Sequence, residues 1–256
     1  MAPKLPTTRP TLENRTQPQM VMKKTLFALM ALAGLAAHAQ NSAVVSAYNY
    51  MTDGDLAKAA EYIEPATTNE GTAVKEKTWR YRGDIYSRIA MGDKAELKQK
   101  YPDALTKAID SYIKANELDV KHSEKEGNDR SLRMLQGTAL NAGNDAFTAK
   151  NYDQAVMLYS ESQRVAKVFG QVDTNAVFNC ALAYESKGDA AKAAESYQEC
   201  IRIGYNKPEI YRYLASLQKK GGDLNAAIAT TQAGRKAYPN DKEIMLDEVA
   251  FLQEAG

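Results

Sequence analysis

Few side chains in this chain could do chemistry, and fewer stand where chemistry would need them. Histidine occurs at His38 and His122. His122 lies in a charged stretch, where a lone imidazole reads as surface rather than as a general acid or base. Glycine-rich phosphate loops and Cys-x-x-Cys pairs are absent. Glu61 with Glu64 and Glu195 with Glu199 read as solvated helix faces, and no set of side chains makes a credible metal site. No catalytic residue, metal or cofactor is therefore expected, and the chain is read as not an enzyme. The polar groups that remain suit recognition. Asn141 and Asn179 carry amides that both donate and accept, as a peptide backbone requires, or they are simply solvated. Arg80, Arg88, Arg212 and Lys219 could hold a carboxylate.

The elements that must position these groups are marked by small residues. Ala47 and Ala59, Gly143 and Ala155, Ala181 and Ala193, and Ala215 and Ala227 each lie twelve apart, and Gly83 and Ala108 lie twenty-five apart. Turn residues fall inside the close pairs: Gly54, Lys150-Asn151, Gly188 and Gly221-Gly222. Small residues on two successive helices let the backbones approach closely, so the pattern predicts a helix hairpin copied along the chain. Val177, Cys180, Ala181 and Tyr184 form one face of a helix. Gly188-Asp189 ends it and caps the next, whose inner stripe is Ala193, Tyr197 and Cys200. Thirty-four residues on, the stripe returns as Tyr211, Leu214, Ala215 and Gln218. Lys242 to Ala255 reads as a last helix covering the exposed end. Most of the 15 tyrosines fall on packing stripes. If Ala181 is level with Ala193, Cys180 and Cys200 are offset by roughly 9 Å along the axis. A disulfide needs Cα atoms within about 7 Å, so buried packing thiols are expected ahead of a bridge.

Trp79-x-x-Arg82-Gly83-x-x-Tyr86 resembles the first helix of a tetratricopeptide (TPR) repeat, with Arg82 in place of Leu. Ala108-x-x-x-Tyr112, Ala155-x-x-x-Tyr159 and Ala193-x-x-x-Tyr197 resemble the second, with Tyr for Phe, and Pro239 supplies a closing proline. The resemblance implies an all-α fold: a right-handed superhelical solenoid of about five helix hairpins plus a C-terminal capping helix. Its units would cover about 40–75, 76–135, 136–173, 174–207 and 208–241, with the cap at 242–256, as one domain. Thirteen inserted residues, roughly Met91 to Asp103, lengthen a helix or project as a loop. Asp119 to Arg130 is expected to be a second, mobile connector.

The resemblance also implies a concave groove lined by the first helices. Positions avoiding the packing stripe then face inward: Arg80, Asp84 and Arg88; Asn141, Asn144 and Phe147; Phe178, Asn179 and Glu185; Arg212, Ser216 and Lys219. Repeats that hold extended peptides often carry asparagine where Asn141 and Asn179 stand. The full carboxylate-clamp pattern is not present.

Composition and the N-terminus supply the setting. Of the 256 residues 44% are hydrophobic and 25% charged, as in soluble globular proteins. The net charge of +1, without a basic block, argues against nucleic-acid binding. Met22-Lys23-Lys24, the apolar run Thr25 to Ala36 and the small-x-small site Ala37-His38-Ala39 have the layout of a secretory signal peptide, an uncleaved anchor being the rival. The polar, Pro-rich residues before Met20 read as an extension upstream. Cleavage after Ala39 leaves 217 residues. It removes Lys4, Arg9, Arg15, Lys23, Lys24 and Glu13, which takes the charge to −3. Gln40 follows the site rather than Cys, so no lipid anchor is expected, and no stable membrane span is left. The expected protein is an exported, periplasmic or envelope adaptor that binds a peptide or protein segment in its groove. The alternative is a self-associating spacer in an envelope assembly.

Overall fold

The computed structural model describes residues 42–205 and 207–256. The extension and signal peptide expected over 1–39 lie outside the described residues. Two compact units meet at the Val74–Lys75 boundary, and each is described by itself.

The first unit is one helix hairpin. Helix α1 (42–52) turns at Gly54, whose φ of +81° favours glycine, into α2 (Leu56–Ile63). Asp55 caps α2 by accepting from the Lys58 N–H. Ala47 and Ala59 are fully buried, as the pairing requires. A 3₁₀ turn (Glu64–Thr67) follows, tied back by the buried Thr72 hydroxyl, which donates to the Ala66 carbonyl at 2.7 Å.

The second unit is a solenoid. Its helices are α3 (Glu76–Met91), α4 (Ala95–Lys100), α5 (Ala104–Leu118), α6 (Lys125–Thr148), α7 (Tyr152–Val168), α8 (Thr174–Lys187), α9 (Ala190–Arg202), α10 (Glu209–Lys220), α11 (Leu224–Ala237) and α12 (Lys242–Ala255). The hairpins are α3/α5, α6/α7, α8/α9 and α10/α11; each packs on the next, and α12 covers α11 and α10. Ala108, Ala155, Ala181, Ala193, Ala215 and Ala227 are all fully buried. One core cluster joins α6, α7 and α8, another joins α8, α9 and α10, and a third joins α10, α11 and α12. Each hairpin therefore buries its apolar stripe only with its neighbour present. Asn151, Asp189 and Asp223 begin the second helices, each accepting the N–H three residues on.

Two connectors differ from the expectation. The insertion carries a six-residue helix, α4, none of whose residues is buried. The stretch expected as a mobile connector up to Arg130 is helical from Lys125 onward, so α6 begins eleven residues before Gln136. The reason is local. The buried Asp119 carboxylate accepts the N–H groups of Ser123 and Glu124 at 3.1 and 2.8 Å, closing a tight loop ahead of α6. Asn128 then donates to Asn116, and Asn116 to Asp129, at 3.0 and 2.7 Å. The polar residues that read as solvent-seeking bond to one another instead. Among the described residues no helix is long and apolar enough to cross a membrane.

Candidate partner-binding groove

Three tyrosines shape the side of the solenoid lined by first helices. In three hairpins a tyrosine on the second helix sends its hydroxyl back to the first helix. Tyr112 donates to Asp84 at 2.7 Å, Tyr159 to Asn144 at 2.9 Å and Tyr197 to Glu185 at 2.6 Å. The rings of Tyr112 and Tyr159 lie against the opposing backbone. A β-carbon on Gly83 would stand 2.9 Å from the Tyr112 ring, and one on Gly143 would stand 2.6 Å from that of Tyr159. Glycine there is thus a condition of the tyrosine contact. Burial pushes the Tyr159 phenol up to about 12 and Tyr197 well above its ordinary value, so both remain donors. Burial also raises the Asp84 carboxyl, against the Tyr112 hydrogen bond and the nearby Arg80 and Arg88.

These contacts place the inward-facing candidates. Asn144 and Phe147 on α6 and Asn179 on α8 come together, with Thr148, Tyr159 and Leu182, around a cleft of about 180 Å³. The Asn144 carbonyl oxygen accepts both the Tyr159 hydroxyl and the Asn179 amide, the latter at 3.0 Å. The two asparagines therefore form a rung between consecutive first helices. Asn141 is exposed one turn away and does not line this cleft. Phe147 meets Tyr152 edge-on at 5.5 Å.

The charged candidates are occupied within the chain. Arg80 pairs with Glu76 at 2.8 Å and approaches Glu124 at 3.6 Å. Arg88 is exposed near Asp84. Arg212 meets Asp247 at 2.7 Å and Glu243 at 3.3 Å, and Lys219 meets Glu254. The carboxylates that Arg212 and Lys219 clamp are thus those of α12, and both cations hold the cap in place. Glu185 is engaged by Tyr197, Phe178 packs against a core cluster, and Ser216 is exposed.

Sequence reasoning missed three things here. Tyr159 lines the cleft although it belongs to a packing stripe, and Leu182 lines it too. Phe178 gathers Tyr205 and Tyr213 around it, from a loop and from α10, which helical spacing on α8 does not reveal. A larger cleft of about 560 Å³ opens between the second helices α7 and α9, lined by Ser160, Gln163, Cys180, Lys192, Glu199 and Arg202. Cys180 and Cys200 are free and buried, as packing thiols; burial pushes Cys180 up to about 11 and Cys200 to about 12. His122 is an exposed loop residue with φ +54°.

No protein-family model matches the chain, and no curated protein matches it. Solved structures resemble it at low identity. The chain aligns with PilF of Pseudomonas aeruginosa at 16% identity over 84% of each chain, with a TM-score of 0.38. PilW, described as a widely conserved type IV pilus biogenesis factor, aligns at 16% identity over 84% of this chain and 85% of its own, with a TM-score of 0.40. The TPR domain of P58(IPK) aligns at 14% identity over 84% of this chain and 64% of its own, with a TM-score of 0.44. The assignment rests on the chain's own hairpins, their fully buried small residues and their 34-residue spacing at the C-terminal end. This is an all-α helical repeat protein built of stacked helix hairpins, whose small residues and tyrosines fall where the resemblance to tetratricopeptide repeats expects them.

Proposed function

We propose that the protein is a non-catalytic interaction adaptor that holds an extended segment of a partner protein along its first helices. The observation that carries this is the cleft at Asn144, Phe147 and Asn179, where two first helices are bridged by an amide rung beside an aromatic ring. The Asn144 oxygen already accepts twice, so its N–H groups are what it offers an incoming chain. Backbone carbonyls of an extended peptide suit such donors. Of the remaining inward-facing candidates, the exposed Arg88, Asn141 and Ser216 would extend the contact along the solenoid.

The proposed setting is outside the cytoplasm, in the periplasm or cell envelope, supported by the charged, apolar and small-residue order of Met22 to Ala39. N-terminal sequencing of the chain from its native host tests this: a first residue other than Gln40 overturns cleavage after Ala39. Crosslinking in a native envelope extract tests the groove. A discrete partner chain should be captured by the parent and lost, at least tenfold, in Asn144→Ala with Asn179→Ala. Thr148→Arg fills the cleft without touching the Tyr159 hydrogen bond and should lose the partner too. Undiminished capture by both variants overturns the reading.

A second reading, self-association as a spacer, draws on one observation. Met245, Leu246, Val249 and Leu252 lie exposed along α12. Light scattering decides it: a mass that stays monomeric from micromolar to millimolar concentration removes it.

A further inference from the structure

Four aromatic rings gather where α8, α9 and α10 meet. The Phe178 centroid lies 5.6 Å from that of Tyr205, 6.3 Å from Tyr197 and 6.5 Å from Tyr213, the last nearly parallel to it at 21°. Core packing accounts for Tyr197, which is wholly buried. It does not account for Tyr213, which is 37% exposed; the Tyr205 ring packs against the core cluster and its hydroxyl donates to Asn175 at 2.9 Å. A cation already sits on these rings. The Lys207 ammonium lies 5.6 Å from the Phe178 centroid and 5.9 Å from that of Tyr205, with the Glu209 carboxylate 3.8 Å away. Cations are drawn to aromatic faces within about 6 Å of the centroid. Phe178 and Tyr205 pack against the core cluster, whereas Lys207 reaches them from the short segment between α9 and α10.

We infer that this cluster is a seat for the ammonium group of a partner's lysine, and that Lys207 fills it when the partner is absent. The inference rests on the groove reading above and adds the partner's chemistry: an extended segment carrying a lysine. Phe178 precedes Asn179 on α8, so the seat and the amide rung share one helix. The Glu209 carboxylate beside the seat complements a cation. Binding requires the incoming ammonium to displace Lys207, so Lys207 sets a threshold that only a well-placed lysine passes.

The test uses Nα-acetyl-lysine amide as probe, titrated into the full chain and followed by the upfield ring-current shift of its ε-methylene protons. Nα-acetyl-glutamine amide is the uncharged control. Removing the competing cation in Lys207→Ala should tighten the lysine probe about three- to sixfold. Lys207→Arg keeps a cation on the rings and should match the parent. Adding Tyr205→Leu to Lys207→Ala should abolish the gain. An unchanged affinity in Lys207→Ala, equal binding of both probes, or no ring-current shift at all overturns the seat. If the seat fails while crosslinked capture still depends on Asn144 and Asn179, the groove reading survives alone. If capture fails as well, both readings fall.

Discussion

At the scale of single residues, a tyrosine hydroxyl and a missing β-carbon act together. Tyr159 lies flat on the α6 backbone because residue 143 has no side chain. Gly143→Ala should therefore force the ring or the helix to move, at about 1–3 kcal/mol, read as a lower thermal midpoint despite alanine's better helix propensity. Asp173 behaves in the opposite sense to Asp84. Burial would raise its carboxyl, but hydrogen bonds from Ser162, the Ala176 N–H and Gln136 outweigh this and hold it below the usual carboxylate range. A depressed value means that Asp173 stabilises the fold above its unfolded value of about 3.9 and loses that contribution as pH falls through the folded one. Asp173→Asn should flatten the acid limb of a stability–pH curve measured between roughly pH 5 and 2, chiefly below pH 4. A parallel curve, merely displaced, would count against the assignment.

At the scale of elements, the hairpins could be read from spacing because a close helix crossing needs a small residue on each side, and that need survives in any sequence context. The candidate cleft was only half readable. Asn144, Phe147 and Asn179 follow from helical periodicity, yet their convergence depends on how α6 and α8 cross, which no single helix encodes. The charged candidates misled for a related reason: Arg212 and Lys219 do face away from the packing stripe, but α12 returns to meet them. The start of α6 was hidden because its polar residues resemble a solvated connector, and only the fold shows that Asp119, Asn116 and Asn128 bond to one another. Asp119→Ala removes the acceptor for two N–H groups ahead of α6. Hydrogen exchange at Lys125–Asp129 should speed up in this variant while exchange in α8 and α9 stays as in the parent.

At the scale of the whole molecule, the second unit is a stack in which each hairpin depends on its neighbour, and its last member depends on α12. Phe251 packs into the cluster with Ala215 and Ala227, and Arg212, Lys219 and Arg235 reach Asp247, Glu254 and Glu248. A chain ending at Asp241 should uncover that apolar surface and break the four ion pairs to α12, Arg212 with Glu243 being the fourth. It should aggregate in light scattering at concentrations where the full chain does not.

The six residues of α4 stand outside that interdependence. They interrupt the turn of a hairpin whose helices α3 and α5 still pack around them, with Gly83 against the Tyr112 ring and Ala108 fully buried. A loop that already accommodates a foreign passenger is a natural socket. A fluorescent reporter or affinity epitope spliced between Asp93 and Lys94 should leave the melting temperature within a degree or two of the parent. The protein could then be tracked or retrieved from its native surroundings with the cleft at Asn144 and Asn179 untouched.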